Sequence, residues 1–113
     1  MKKMKKTDLR AIMRLAWQFV KRNGFTLSEA LKQAWQNFKL KAQLYKGIVK
    51  FYYHKVDGTL REAYGTLCPK YMPQQPDSND RRLKNPTVQV YYDTEKQEFR
   101  CYKVANVVNI ATA

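Results

Sequence analysis

The sequence predicts an α+β fold, in which a two-helix hairpin precedes a small barrel of five antiparallel strands. Up to Lys46 the apolar residues recur at helical spacing, and from Gly47 onward they alternate as they do in strands. A chain of 113 residues can bury one modest core. We therefore expect one compact body in which a helical hairpin, residues 1–46, packs on a barrel, residues 47–113.

The first helix is expected over residues 8–22, with Thr7 as its N-cap. Gly24 is the expected stop, because glycine adopts the left-handed conformation of a helix C-cap at little cost. One apolar stripe follows this helix: Leu9, Ile12, Met13, Ala16, Phe19 and Val20.

The second helix is expected to begin after Thr26 and to end near Lys46. Thr26 and Glu29 have the spacing of a capping box, and Phe25 and Ala30 occupy the positions of a hydrophobic staple. Its apolar stripe consists of Leu27, Ala30, Leu31, Ala34, Trp35, Phe38 and Tyr45.

Five short segments after Gly47 have the alternation of strands. Asp57-Gly58 is a strong hairpin signal between the first two. The four prolines of residues 68–86 exclude a central strand there and indicate a long, mobile loop of functional interest. The expected strands are residues 48–55, 60–67, 87–93, 98–104 and 107–110.

Positive charge is concentrated in the helical part. Residues 1–46 contain twelve Lys and Arg against two acids, whereas the rest of the chain contains ten against seven. Such an asymmetry is typical of proteins with a polyanionic partner, and nucleic acid is the first candidate.

The basic residues of each helix form a row beside a tryptophan. Lys3, Arg10, Arg14 and Lys21 fall together on a wheel of 3.6 residues per turn, next to Trp17. On the second helix Lys32, Lys39 and Lys46 do the same, next to Trp35. The rows could contact phosphates and the indoles could stack on bases or sugars; the alternatives are solvated basic faces and two core tryptophans.

Alternation divides the strand residues into two faces. The face expected inside the barrel comprises Val49, Phe51, Tyr53, Ala63, Gly65, Leu67, Val88, Val90, Tyr92, Phe99 and Cys101. The other face mixes aromatic and basic side chains that could stack bases and pair with phosphates, or instead pack against the helices. Its members are Lys50, Tyr52, His54, Tyr64, Tyr91, Arg100 and Tyr102.

Catalytic and metal-binding patterns are not visible in the sequence. Cys68, Cys101 and the single histidine, His54, lack the spacing of a zinc site, and no nucleophile accompanies the histidine. Residues 93–98 are interpreted as turn chemistry, and Arg61-Glu62 as a cross-strand or barrel-end ion pair. We therefore expect no enzyme activity, no metal and no cofactor.

The segments GTLREAYGTL and VQVYYDTEKQEFRCYKVANVVNI carry a resemblance to a known family. Residues 47–110 resemble small proteins with an Sm-like SH3 β-barrel, distantly related to WYL domains and common in phages and mobile elements of Bacteroidetes. The matching positions are Asp57-Gly58, residues 61–66, residues 91–93 and residues 99–103. The resemblance implies an SH3/Sm-like barrel and leaves the function open.

The leading hypothesis is a small, non-enzymatic accessory or regulatory protein that binds DNA or RNA in the cytoplasm of a bacterial host. The residues assigned to nucleic-acid contact are Lys3, Arg10, Arg14, Trp17, Lys21, Lys32, Trp35, Lys39, Lys46, Lys50, Tyr52, Tyr64, Arg100 and Tyr102. The alternative is a protein-interaction module in which the barrel and the loop of residues 68–86 capture an acidic surface on a host protein, or on a second copy in a homo-oligomer. Such a module would inhibit or modulate the protein that it binds. Two further interpretations are disfavoured. A groove-reading helix-turn-helix would need better contact residues than Leu27, Ser28 and Glu29, and a membrane-surface helix would not be followed by a partner helix.

Overall fold

The computed structural model describes residues 6–76 and 78–111 and has the predicted order of elements. Two α-helices, α1 (Lys6–Asn23) and α2 (Leu27–Lys46), precede the strands β1 (Val49–His54), β2 (Leu60–Thr66), β3 (Val88–Asp93), β4 (Glu98–Lys103) and β5 (Val107–Ala111). Short 3-10 helices cover Pro69–Tyr71, Arg81–Lys84 and Val104–Asn106. The predicted α+β fold is confirmed, with element boundaries within two residues of those expected. The segment predicted to be one long loop contains the first two of these 3-10 helices.

The chain divides into two compact units between Phe38 and Lys39, inside α2. The first unit contains α1 and the first three turns of α2. The second unit contains the last two turns of α2 and all five strands.

The first unit turns between its helices as the sequence predicts. Gly24 has a φ of 70°, and the backbone N–H of Phe25 donates to the carbonyl of Phe19 at 3.3 Å, while their rings lie 5.5 Å apart. The Thr26 hydroxyl accepts from the Glu29 N–H at 3.2 Å and donates to the Glu29 carboxylate at 2.8 Å. These contacts fix the start of α2.

The apolar stripe of α1 is only partly buried, which corrects the prediction. Ile12, Ala16 and Phe19 are buried, but Leu9 is 46% exposed and Met13 41%. The buried positions span a narrow arc of the helix surface, and Leu9 and Met13 lie on its flank.

The second unit is a five-stranded antiparallel sheet in the order β4-β3-β2-β1-β5. β1 and β2 pair along their whole lengths, from Val49 opposite Gly65 to His54 opposite Leu60. The hairpin turns at Gly58, whose φ is 90°. β5 then returns to pair with β1, which gives the order of an Sm-like SH3 barrel.

The last turn of α2 is joined to β2 by hydrogen bonds. The buried Thr66 hydroxyl donates to the carbonyls of Leu44 at 3.2 Å and Gly47 at 2.8 Å. The Leu67 N–H also donates to Leu44 at 2.8 Å. Because the last carbonyls of a helix lack partners within it, these donors satisfy the C-terminal end of α2.

Four aromatic rings fill the interior of the sheet: Phe51, Tyr53, Tyr91 and Tyr102. Each is at most 5% exposed, and each pair has ring centroids 5.2–6.3 Å apart. The hydroxyls of Tyr53 and Tyr91 are hydrogen-bonded at 2.9 Å. The predicted position of Tyr91 and Tyr102 on the outer face is therefore wrong.

The register of β3 explains this correction. Gly65 lies opposite Asp93, so Tyr91 and Asp93 share the face of Gly65, and Arg100 opposite Tyr91 brings Tyr102 to the same face. The other face of these strands carries Val88, Val90, Tyr92, Phe99 and Cys101, which were predicted to be interior. Val90 and Tyr92 are nevertheless buried, so β3 is covered on both faces.

Arg61 and Glu62 of β2 form ion pairs across strands, as predicted, each with a different neighbouring strand. Arg61 pairs with Asp93 at 2.7 Å, and Glu62 pairs with Lys50 at 3.5 Å. Successive strand residues point to opposite faces, so Arg61 and Glu62 cannot pair with each other within a regular strand. The prediction of turn chemistry after β3 is confirmed, since the Asp93 carboxylate accepts the N–H groups of Glu95 and Lys96, both at 3.0 Å.

Candidate nucleic-acid interface

The α1 basic row, defined as Arg10, Arg14 and Lys21, is exposed. Lys3, assigned to the same row, lies outside the described residues. Among residues 6–76 and 78–111, no carboxylate lies within 4.0 Å of the charged groups of this row. The row therefore presents three cations to solvent without a neutralising partner.

Trp17 lies between the α1 basic row and the exposed apolar residues of the same helix. Its side chain is 47% exposed, and it follows Leu9 and Met13 at four-residue intervals, which places the three on one ridge of the helix. The alternative interpretation of Trp17 as a core residue is wrong. A ring with this exposure offers part of its face to a ligand.

The α2 basic row consists of Lys32, Lys39 and Lys46, all exposed. Lys32 and Trp35 belong to the first unit, and Lys39 and Lys46 to the second. Trp35 is 36% exposed and meets the edge of Phe38, with ring centroids 6.2 Å apart and planes at 81°. Trp35 therefore packs against Phe38 and remains partly exposed to solvent.

Lys50, Tyr52, Glu62 and Tyr64 form a strand patch on the outer face of β1 and β2, with an acid at its centre. The Tyr64 hydroxyl donates to Glu62 at 3.1 Å, and the Lys50 ammonium lies 5.8 Å from both tyrosine ring centroids. Tyr52 and then Glu62 raise the pKa of Lys50 above its ordinary value. The structure therefore brings together three of the predicted contact residues, Lys50, Tyr52 and Tyr64. Their polar groups, however, already interact with Glu62.

Tyr102 and Arg100 lie elsewhere than predicted. Tyr102 is 2% exposed within the aromatic core, so its predicted stacking on a base is wrong. Arg100 is half-buried, 2.6 Å from Glu98 and 3.9 Å from the buried Asp93. Both residues line a cleft on the barrel that the sequence did not predict.

This basic cleft has a volume of about 420 Å³. It lies in the second unit and is bordered by the ends of β1 and β4, by Arg61 of β2 and by Arg82 of the second 3-10 helix. No Asp or Glu is among its described lining residues. Its basic lining consists of His54, Lys55, Arg61, Arg82, Arg100 and Lys103.

One of the arginines that line the basic cleft, Arg61, forms an ion pair with the buried Asp93. Asp93 is 1% exposed, and burial alone would raise its pKa, but the Lys96 N–H and the Arg61 guanidinium lower it below its ordinary value. Burial, reinforced by the Tyr53 hydroxyl, raises the pKa of Tyr91. At neutral pH the carboxylate is thus charged and the phenol neutral.

Sequence reasoning missed the basic cleft because its residues are distant in the chain. Lys55 follows β1, and Lys103 is the last residue of β4. Arg82 belongs to the segment interpreted as a mobile loop. The one available signal was the Arg81-Arg82 pair within that loop.

The described residues contain neither a cluster of metal ligands nor a membrane-spanning helix. Nowhere in residues 6–76 and 78–111 do three or more His, Cys, Asp or Glu side chains come together as a metal ion would require. Neither helix in that part of the chain combines the length and the apolar character needed to cross a bilayer.

Comparison with known proteins addresses the fold. No curated protein and no solved structure matches the chain. A family model, WYL_2, described as having an Sm-like SH3 β-barrel fold, matches residues 31–108, which is more than half of the sequence. The match includes residues 39–108 of the second unit, where the strand order has already indicated such a barrel. The protein therefore belongs to the WYL_2 family of Sm-like SH3 β-barrel proteins.

Proposed function

We propose that the protein is a small, non-enzymatic nucleic-acid-binding accessory factor of phage or mobile-element origin, acting in the cytoplasm of a bacterial host. The observation that carries the proposal is the α1 basic row beside the exposed Trp17. The origin is inferred from the resemblance to phage and mobile-element proteins.

Electrostatics support a polyanion as the partner. A solvated helix face normally mixes both signs of charge, which lowers its repulsion. The α1 basic row has no carboxylate within 4.0 Å in the described part of the chain, and the whole chain has a net charge of +13. Docking on phosphates releases their counterions, so these cations contribute most to affinity at low salt.

The tryptophans support a contact with bases or sugars as well as phosphates. Base–aromatic stacking contributes about 1–3 kcal/mol per base in single-strand binding proteins and requires an accessible ring face. Trp17 and Trp35 are 47% and 36% exposed, whereas the Tyr52 and Tyr64 hydroxyls bond to Glu62 and both rings lie near the Lys50 ammonium. Within this proposal, the helices make the principal contacts and the strand patch does not.

The test is a fluorescence anisotropy titration with single-stranded and duplex DNA and RNA, with heparin as competitor. The wild-type protein is compared with a variant reversing the α1 basic row, Arg10→Glu, Arg14→Glu and Lys21→Glu. A second variant reverses Lys70, Lys84 and Lys96, three exposed cations of the second unit outside the basic cleft, and has the same net charge.

We expect the first variant to lose more than tenfold in affinity at physiological salt with an unchanged circular dichroism spectrum, since three phosphate contacts become repulsive. The second variant should retain most of its affinity. Equal losses in both would mean that net charge alone attracts the ligand, and retained affinity in the first would refute the assignment to α1.

A second candidate is a protein-interaction module, favoured by the exposed ridge of Leu9, Met13 and Trp17 on α1. An apolar ridge beside cations suits a protein surface with an apolar centre and an acidic rim. Such a module would purify free of material absorbing at 260 nm, whereas a nucleic-acid binder would retain such material until high salt removes it. Pairing through the sheet edges β4 and β5 would give a homo-oligomer, which the molar mass from light scattering detects.

A further inference from the structure

The basic cleft lies within the second unit and is built differently from the basic rows of the helices. Its cations lie on the second unit, and three of them, Arg61, Arg82 and Arg100, are held by ion pairs instead of following one helix row. Its volume of about 420 Å³ falls in the range of sites that hold small organic ligands.

Each of the three arginines that line the cleft forms an ion pair with a carboxylate that is not among the lining residues. Arg61 binds Asp93 at 2.7 Å, and Arg100 binds Glu98 at 2.6 Å. The Arg82 guanidinium donates to both oxygens of Asp80 at 2.7–3.1 Å and reaches the Phe99 carbonyl at 3.4 Å.

These pairs orient the arginine planes. A guanidinium has five N–H donors and a single carboxylate satisfies only two or three, so each arginine retains donors for a ligand.

Two further cations of the cleft, Lys55 and Lys103, have no carboxylate partner in the described part of the chain. Across residues 6–76 and 78–111, no carboxylate oxygen comes within 4.0 Å of the ammonium of Lys55 or Lys103. Three carboxylates therefore balance three of the five Lys and Arg side chains, and a charge of about two remains. A phosphate monoester carries about −1.5 to −2 at neutral pH, which matches this excess.

The cleft wall also has an apolar portion. The exposed Val56 and the half-buried Val88 line it. A purely inorganic ion would leave this wall in water, whereas the organic part of an ester would cover it.

We propose that the basic cleft binds a phosphate monoester group, either of a free small molecule or at the end of a nucleic-acid strand. Lys55 and Lys103 supply the neutralising charge, and Arg61, Arg82 and Arg100 supply oriented donors. The site does not depend on the α1 basic row.

The first arm of the test is isothermal titration calorimetry of the full chain with AMP, and with adenosine as the matched ligand without phosphate. The variant is Lys55→Gln with Lys103→Gln, because both side chains are exposed. The control variant is Lys84→Gln with Lys96→Gln, which removes the same charge outside the cleft.

The second arm distinguishes the source of the phosphate. A 5′-phosphorylated oligonucleotide is compared with its 5′-hydroxyl form, using protein in which the α1 basic row is neutralised to Gln. A preference for the phosphorylated strand that exceeds AMP binding indicates a strand end, and AMP binding without that preference indicates a small molecule. Because the helical row is removed, failure of the nucleic-acid proposal and failure of this one are separable.

We expect at least one phosphorylated probe to bind, its unphosphorylated match not to bind, and the Lys55/Lys103 variant to weaken the affinity roughly tenfold or more, as expected from losing charge-assisted contacts. The control variant should bind as the wild type does. Equal binding with and without phosphate, equal effects of the two variants, or no binding of any probe would overturn the proposal.

Discussion

Replacing Gly65 by alanine tests the arrangement of the barrel core. A Cβ atom built on Gly65 would lie 2.5 Å from Cδ2 of Tyr91 and 3.0 Å from Cε1 of Phe51. Neither ring can retreat easily, since both are fully buried and packed on Tyr53 and Tyr102. Gly65 is therefore required by the close approach of the Tyr91 ring.

The magnitude follows from the cost of overpacking. Extra atoms in a well-packed core destabilise a protein by about 1–3 kcal/mol. At a strain-free position the same substitution stabilises by about 0.4–1 kcal/mol, because alanine restricts the unfolded chain. We expect Gly65→Ala to lower the free energy of unfolding by about 2 kcal/mol and the melting temperature by about 8–10 °C.

Gly47→Ala is the matched control. A Cβ on Gly47 meets no atom within 4 Å, and its φ is not in the left-handed region. Urea denaturation followed by circular dichroism should show a lower midpoint for the Gly65 variant, at an unchanged slope, and an equal or higher midpoint for the Gly47 variant. Equal midpoints for both variants would refute the position of Tyr91 inside the barrel and support the outer face expected from alternation.

Three further predictions concern the helices and the buried ion pair. Neutralising the α1 basic row to Gln should reduce the slope of log affinity against log salt by about 2.7 on duplex DNA, since each lost phosphate contact contributes about 0.9. Trp35→Phe leaves Trp17 as the only tryptophan, and its fluorescence should be quenched when single-stranded nucleic acid stacks on it. Asp93→Asn should lower the free energy of unfolding by roughly 3 kcal/mol at neutral pH, because it leaves the Arg61 charge without its partner. Since folding lowers the pKa of Asp93, its contribution is complete above pH 3.8, the ordinary value, and is lost as the pH falls through the lower folded value.

Each of these has a distinguishing control. The Lys70, Lys84 and Lys96 neutralisation should leave the salt slope nearly unchanged, and an equal decrease would assign the slope to net charge. Trp17→Phe, with Trp35 retained, separates the two indoles, and quenching confined to Trp35 would contradict the α1 contact. Wild type and Asp93→Asn should converge in stability at acid pH; a constant difference down to pH 2 would mean that the carboxylate charge is not the source of its effect.

The helices and turns could be predicted from local sequence, and their prediction is confirmed except at Thr7, which lies inside α1 and is not its N-cap. The Thr26–Glu29 capping box, the stop at Gly24 and the Asp57-Gly58 hairpin each depend on residues within four positions of one another. A local hydrogen bond or a left-handed φ is a property of a few residues, so the sequence displays it directly.

The face of β3 could not be predicted in this way. Both sets of alternate residues in this strand are largely apolar or aromatic, and both faces are buried. Alternation identifies the core face of a strand only when the other face is polar. In β3, Tyr91 and Tyr92 are equally suitable for a position in the core. The pairing of Gly65 with Asp93, which is 28 positions away in the chain, selects the register.

The sequence by itself determined the order of the elements, the barrel family and the basic helix faces with their tryptophans, because periodicity, caps and charge are written in neighbouring residues. Only the tertiary structure decided which tyrosines enter the core, which acid holds Arg61, and that Lys55, Arg82 and Lys103 border one cleft. Those outcomes depend on strand register and on contacts between segments that are far apart in the chain. Such contacts form only when the chain is folded, and they stabilise the fold together, so neighbouring residues do not reveal them.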